Sequence, residues 1–258
     1  MTKTITEKDI AVIVPVYKEH PLAEEWKYYG HNSRMLKRYK QILVAPEGMN
    51  TEAYTGVKGV SAEFFQKKFF ENIAGYNKLM LSEQFYKRFV KYKYILICQT
   101  DVFIFKDELL DWCKKDYDYI GAPWVNRAFF LFQYVFVKMG LSYALRMFFT
   151  RNLFNAVGNG GLSLRKISTF INVIKNDKKS HKWEANEDFY WSFFAESDGN
   201  PISRPTASEA GLFSIEVNPK KLMRRQNNEL PMGIHAWERY NPEFWEGIVA
   251  NALKNNLK

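Results

Sequence analysis

The chain has 258 residues, of which 47% are hydrophobic and 17% aromatic, so it can form a substantial core and is not expected to be disordered. Its net charge of +9 favours anionic partners such as nucleotides, phospholipids or nucleic acids. We find no zinc-finger spacing or RNA-binding motif, no run of eighteen apolar residues and no signal peptide, and only two cysteines. The sequence therefore predicts a cytoplasmic protein that binds no nucleic acid, does not span a membrane and has no disulfide framework.

Short apolar strands alternate with helices in the first half of the chain. The patterns predict strands over Ile10–Val16, Gln41–Ala45, Tyr94–Phe105 and Tyr117–Ile120, and helices over Pro21–Tyr39, Gly75–Val90 and Asp107–Lys114. This alternation is typical of an α/β protein whose sheet is covered by helices. Ligands of such sheets bind beyond the carboxyl ends of the strands.

The second half of the chain has a different composition. Residues 128–149 are very aromatic and are interrupted by Lys138 and Arg146. Residues 157–165, VGNGGLSLR, are glycine-rich and then strand-like, and Asn186 is followed by two adjacent carboxylates that precede an aromatic helix.

The strand pattern around Cys98 is interrupted by Gln99, Thr100 and Asp101 before it becomes apolar again. A carboxylate is costly to bury unless it is paired or binds a metal. Asp101 is therefore either a solvated turn residue or part of a site.

Seven segments, in this order, resemble a bacterial family of GT-A-like glycosyltransferases: PVYKE, GYNKLMLSEQFY, YILICQTDVFIF, DYIGAPW, VGNGGLSLR, NEDFYW and GIHAWERY. A looser likeness links them to galactosyltransferases. The resemblance implies a GT-A-type nucleotide-diphospho-sugar transferase fold, with a mixed, mostly parallel central sheet flanked by helices. It implies one domain over 1–258, with an aromatic-rich helical insertion at about 126–155.

The resemblance also implies a donor site. The nucleotide-binding candidates are Pro15, Val16, Tyr17, Tyr76, Asn77, Lys78, Gln99, Thr100 and Asp101. Asp101 and His235 would hold Mn²⁺ or Mg²⁺, because hard cations prefer oxygen ligands and imidazole suits Mn²⁺. Gln99 replaces the first acid of the family's Asp-x-Asp step, so a metal-independent enzyme that uses Lys or Arg is the alternative. His235 could also be a structural residue, and Lys78 a solvated one.

The same resemblance implies that the acceptor site and the catalytic residues lie in the second half of the chain. Asp188 would be the catalytic base, and Glu187 would bind the acceptor hydroxyl or support the base. Helix capping is the simpler interpretation of both residues. The sugar and acceptor candidates are Trp124, Asn159, Gly160, Gly161 and Trp237. The glycines would let the backbone approach a ligand, or would only form a turn.

These features predict an inverting hexosyltransferase that uses a UDP-linked donor. Its acceptor would be a glycan or a lipid-linked saccharide in bacterial surface polysaccharide synthesis. A retaining transferase and a non-catalytic nucleotide-sugar or glycan-binding protein are the alternatives. Aromatic and basic residues interleave over 128–149, which indicates either core helices or contact with the inner face of an anionic membrane.

Overall fold

The computed structural model describes residues 4–57, 59–124 and 157–255. The segment 128–149 and the predicted insertion at about 126–155 lie outside these residues. No helix within the described ranges is long and apolar enough to cross a membrane.

The described residues form a sheet of six strands in the order β3-β2-β1-β4-β7-β6. These strands are β1 Ile10–Pro15, β2 Lys40–Pro46, β3 Val60–Phe65, β4 Tyr94–Cys98, β6 Tyr119–Ile120 and β7 Leu162–Lys166. The first four are parallel to one another, and β7 is antiparallel to both β4 and β6. This arrangement confirms the prediction of a mixed, mostly parallel sheet.

Two smaller sheets accompany the central one. β5 (Val102–Ile104), β10 (Ser214–Ile215) and β11 (Gly233–His235) form a three-stranded sheet in the order β10-β11-β5. β8 (Glu196–Ser197) and β9 (Asn200–Pro201) form a short hairpin.

The helices surround these sheets. They are α1 Ala23–Met35, α2 Glu52–Thr55, α3 Ile73–Met80, α4 Glu83–Lys87, α5 Leu109–Lys114, α6 Ile167–Asn176, α7 Lys178–His181, α8 Glu187–Phe193, α9 Ala207–Phe213, α10 Pro219–Arg225, α11 Trp237–Tyr240 and α12 Pro242–Asn255. Short 3₁₀ turns cover Glu7–Asp9 and Lys67–Phe69.

Both faces of the central sheet are buried, because alternate side chains of each strand point to opposite faces. Ile13 and Ile97 belong to the core on one face, whereas Val12 and Leu96 belong to the core on the other. This double burial explains why β1 and β4 are apolar without interruption.

Two sequence predictions about elements are wrong in detail, and one strand was missed. The predicted strand Tyr94–Phe105 is two strands in two different sheets, because residues 99–101 turn the chain. The predicted helix Gly75–Val90 is broken at Ser82, whose hydroxyl caps α4 by accepting a hydrogen bond from the Phe85 N–H at 3.4 Å. The edge strand β3 was not predicted.

Candidate active site

A cleft of about 570 Å³ opens at the carboxyl ends of β1 and β4. The strand order reverses here, since β2 and β3 lie on one side of β1 and β4 lies on the other. Such switch points are where open α/β sheets bind ligands. The predicted site residues that line the cleft are Pro15, Val16, Tyr17, Tyr76, Asn77, Gln99, Thr100, Asp101, Asn159, Gly160, Gly161, Glu187, Asp188 and His235.

Three predicted site residues lie elsewhere. Lys78 is exposed on α3 and does not line the cleft. Trp124 is buried against the Phe189 and Phe193 rings, at centroid distances of 4.8 and 5.6 Å, so it supports α8 from behind. Trp237 is buried in the core beside α12 and borders a different cavity, so neither tryptophan is among the described residues that line this cleft.

Strand pairing brings the cleft residues together. β11 runs antiparallel to β5 and pairs His235 with Val102, which places His235 beside Asp101. β7 pairs Cys98 with Leu162, and the Gln99 N–H donates to the Gly161 carbonyl at 2.9 Å. Residues more than 130 positions apart in the chain therefore meet at one edge.

His235 lies at the centre of a polar cluster. Its Nε2 atom is 3.3 Å from Asp101 Oδ1 and 3.2 Å from Gln99 Oε1, and its Nδ1 atom is 3.2 Å from Glu216 Oε1. Burial alone would lower the pKa of His235, but hydrogen bonds and charge from Asp101 and Glu216 outweigh burial and raise it to about 10. Burial would raise the pKa of Asp101, and His235 reverses that effect so that the pKa falls below its usual value.

Among the described cleft residues, Asp101, His235 and Gln99 converge as possible donors for a metal ion. Within the described ranges, no three His, Cys, Asp or Glu side chains are grouped to hold a metal. One carboxylate and one imidazole nevertheless converge with an amide oxygen, a set that suits Mn²⁺ or Mg²⁺ when substrate phosphates complete the coordination. The residues present therefore fit a divalent cation shared between the protein and a phosphorylated ligand.

The glycines of the predicted ligand-binding run make room for protein side chains. A Cβ atom at Gly161 would overlap the imidazole of His235, and one at Gly158 would overlap the hydroxyl of Ser192. At Gly160 it would lie 2.6 Å from Glu187 Oε1. Gly160 and Gly161 also line the cleft. Because they have no side chains, Glu187 and His235 can pack against them and the cleft stays open.

Glu187 is held in a buried ion pair. Arg165 donates to Glu187 Oε1 at 2.8 Å, and the two side chains are 0% and 2% exposed. The guanidinium also donates to Ser163 Oγ and to the Tyr86 hydroxyl, at 3.0 and 2.9 Å. Burial raises the pKa of Glu187 despite the opposing charge of Arg165, and the hydrogen bond from Arg165 fixes the carboxylate in place.

Asp188 has the properties of a group that exchanges protons near neutral pH. Burial is the main cause, followed by the charges of Glu187 and Glu216, and together they raise its pKa to about 7. Its Oδ1 accepts a hydrogen bond from the Phe189 N–H at 2.8 Å in the first turn of α8. The two adjacent acids therefore have different environments, since Glu187 is paired with a cation and Asp188 is not tied to that arginine.

Sequence reasoning missed Glu216 and Arg165. Glu216 reaches His235 because β10 pairs in parallel with β11, and strands of two and three residues leave no periodic signal. Arg165 could have been predicted from the sequence. It lies on the same face of β7 as Ser163, and a charged side chain on a strand of a covered sheet needs a buried partner.

The fold is that of solved glycosyltransferases, which confirms the GT-A prediction. The structure is similar to that of a WbbM bifunctional glycosyltransferase, with a TM-score of 0.58 and 12% identity over 98% of this chain and 51% of that one. The chain thus spans about half the length of WbbM. Galactosyltransferase LgtC in complex with donor and acceptor sugar analogues gives a TM-score of 0.56 and 12% identity over 95% of each chain. The structure of mouse xyloside xylosyltransferase 1 gives a TM-score of 0.50 and 9% identity, over 88% of this chain and 97% of that one.

The chain belongs to the family described as "Protein of unknown function (DUF5672)", whose model matches residues 59–235. The matched segment contains the Gln99–Asp101 turn and the Glu187–Asp188 pair, and it ends at His235. A comparison with curated proteins finds no match.

Proposed function

We propose that this protein is a glycosyltransferase that moves a hexose from a UDP-linked donor to a glycan or lipid-linked saccharide acceptor. The observation that supports this function best is the cleft itself. Donors for a divalent cation and a carboxyl group with a pKa of about 7 both line this cleft, which lies at the switch point of the sheet.

The charge of the cleft favours a cation as the partner of the diphosphate. No lysine or arginine is among its described lining residues. Six acids do line it: Glu25, Glu71, Asp101, Glu187, Asp188 and Glu216. A nucleoside diphosphate would be repelled by this surface without a counterion. This observation favours a metal-dependent donor site over one that relies on Lys or Arg.

Donor binding would use the carboxyl ends of β1 and β4. Tyr17 is 61% exposed at the cleft and offers a ring on which a nucleotide base can stack. Asp101 and His235 would hold the cation, with Gln99 supplying an amide oxygen. The cation, when bound, neutralises the diphosphate and stabilises the charge of the leaving group.

Asp188 would take the proton of the acceptor hydroxyl. As the hydroxyl oxygen forms its bond to the anomeric carbon, the bond from that carbon to the diphosphate oxygen breaks, and the proton passes to the Asp188 carboxylate. Attack opposite the leaving group inverts the anomeric configuration. Glu187 is a poorer base because its carboxylate is paired with Arg165, so we assign it the role of orienting the site.

Turnover of nucleotide sugars with Mn²⁺ and candidate acceptors tests this proposal. We expect transfer above background from a UDP-hexose, and an inverted anomeric centre in the NMR spectrum of the product. Retention of configuration would replace the mechanism with the retaining alternative. Binding of UDP without any turnover would make the protein a nucleotide-sugar-binding protein instead.

The biological setting is a further part of the proposal. We infer a role in bacterial surface polysaccharide synthesis, in the cytoplasm, with residues 128–149 in contact with the inner face of the membrane. The basic and aromatic composition of that segment supports this inference. Sedimentation with anionic vesicles at low salt should show binding; its absence there, where attraction is strongest, would leave the segment as core or acceptor lid.

A further inference from the structure

Two residues compete for one nitrogen of His235. Glu216 Oε1 lies 3.2 Å from Nδ1, and Asn159 Nδ2 lies 3.1 Å from the same atom. An ionised carboxylate can only accept a hydrogen bond, whereas an amide nitrogen can only donate one. In a neutral imidazole ring, which carries a single proton, the two neighbours therefore favour opposite placements of that proton.

The orientation of the Asn159 amide is set by the backbone. Its Oδ1 atom accepts hydrogen bonds from the Gly161 N–H at 2.7 Å and from the Leu162 N–H at 3.3 Å. Turning the amide over would break both bonds in a side chain that is 2% exposed. Nδ2 is therefore directed at His235, and of the two neighbours of Nδ1 only the carboxylate favours a proton on that nitrogen.

We propose that Glu216 is a positioning residue that holds the proton of His235 on Nδ1 and presents Nε2 to the cation. This inference rests on the proposed function, because Nε2 lies on the side of Asp101 and Gln99. If Asn159 prevailed, a neutral ring would carry its proton on Nε2, and that nitrogen would have no lone pair for a metal.

The charge and the position of Glu216 favour its hydrogen bond with Nδ1 over the contact with Asn159. A hydrogen bond to an ionised carboxylate is stronger than one between neutral groups. Parallel pairing of Ile215 with Ile234 places Glu216 and His235 side by side at the ends of their strands. The side chain of Glu216 is only 15% exposed, so water competes weakly for the carboxylate. Partners of this kind typically change metal affinity by about ten- to a hundredfold.

The test compares four proteins by calorimetric titration with Mn²⁺ in the absence of nucleotide. E216Q should bind Mn²⁺ about ten- to a hundredfold more weakly than the wild type. E243Q removes the same charge from an exposed position on α12 that is not among the described lining of the cleft, so its affinity should stay close to that of the wild type. The double variant E216Q/N159D restores the wild-type charge and an acceptor beside Nδ1, and it should recover most of the affinity. An E216Q protein with wild-type affinity, or a double variant as weak as E216Q, overturns the proposal.

A second measurement separates this role from the metal itself. In the metal-free protein, the hydrogen bond from the Nδ1 proton of His235 to Glu216 should give a downfield ¹H NMR signal that E216Q removes and E216Q/N159D restores. A wild type that binds no Mn²⁺ but shows this pattern would refute the proposed metal site and support the role of Glu216. A signal that E216Q leaves unchanged would refute the role of Glu216, whatever the metal does.

Discussion

Replacing Asp188 by asparagine should have opposite effects on turnover and on stability. The substitution keeps the shape of the side chain, and its Oδ1 atom can still accept the hydrogen bond from the Phe189 N–H. It removes the negative charge and with it the ability to take a proton. Loss of activity and gain of stability in one variant would identify Asp188 as a functional group that lowers the stability of the folded protein.

The expected gain in stability follows from the pKa of Asp188. Folding raises that pKa from 3.8 to about 7, so the folded protein binds the proton more tightly than the unfolded chain. Stability therefore falls as pH rises between these values, and the loss is complete above pH 7. A difference of about three pH units corresponds to at most about 4 kcal/mol, which we halve to about 2 kcal/mol because the side chain is half-buried.

Two assays measure these effects. Urea unfolding should show D188N to be about 2 kcal/mol more stable than the wild type at pH 8, and equal to it near pH 4. Turnover should fall by about a hundred- to ten-thousandfold while UDP affinity stays the same, because the proposed site of the donor phosphates is at Asp101 and not at Asp188. The wild-type kcat/KM should rise with pH up to about 7, where Asp188 becomes ionised. D111N, at a carboxylate that is 71% exposed, is the control and should change neither quantity.

Near-normal turnover of D188N would refute the assignment and make Glu187 the next candidate base. A D188N protein that is less stable than the wild type at pH 8 would show that the carboxylate is a helix cap. The pKa argument would then be wrong.

Two other substitutions test the cleft and its support. Gly161→Ala should abolish Mn²⁺ binding in calorimetry, because its Cβ atom displaces the imidazole of His235. The control is Gly247→Ala, whose Cβ atom meets nothing within 4 Å, and this variant should bind Mn²⁺ normally. Unaltered binding by Gly161→Ala would mean that His235 is not a ligand. Arg165→Met should lower the free energy of unfolding by about 3–5 kcal/mol, because it leaves Glu187 buried without its cation. Adding Glu187→Met should recover most of that loss, and a double variant as unstable as Arg165→Met would contradict the ion-pair account.

The sequence predicts the central strands well and their surroundings less well. β1 and β4 are uninterrupted apolar runs because both faces of the sheet are covered, and such runs are the strongest local signal of a parallel sheet. β3 lies at the edge of the sheet and contains Ser61 and Glu63, so its composition does not distinguish it from a loop. The break at Ser82 depends on one capping hydroxyl, which weighs little against the apolar spacing on either side.

The candidate site was predictable where it follows a strand and not where it depends on pairing between distant segments. Gln99–Asp101 interrupts an apolar run, and that interruption alone marks a turn or a site. The contact between Glu216 and His235 depends on the register of two very short strands, for which the sequence has no periodic pattern. Trp124 and Trp237, predicted to contact the sugar or the acceptor, are largely buried among the described residues, and large aromatic residues more often fill the core than contact a ligand.

The most direct test of the central claim is a calorimetric titration of UDP into the wild-type protein, with Mn²⁺ and then with the metal removed by a chelator. We expect binding in the cleft with Mn²⁺ and a large loss of affinity without it, because six acids and no described lysine or arginine line that space. D101N should show weak binding under both conditions. Equal UDP affinity with and without metal in both proteins would contradict the account of a cation-bridged donor site, and no binding under any condition would contradict a nucleotide site altogether.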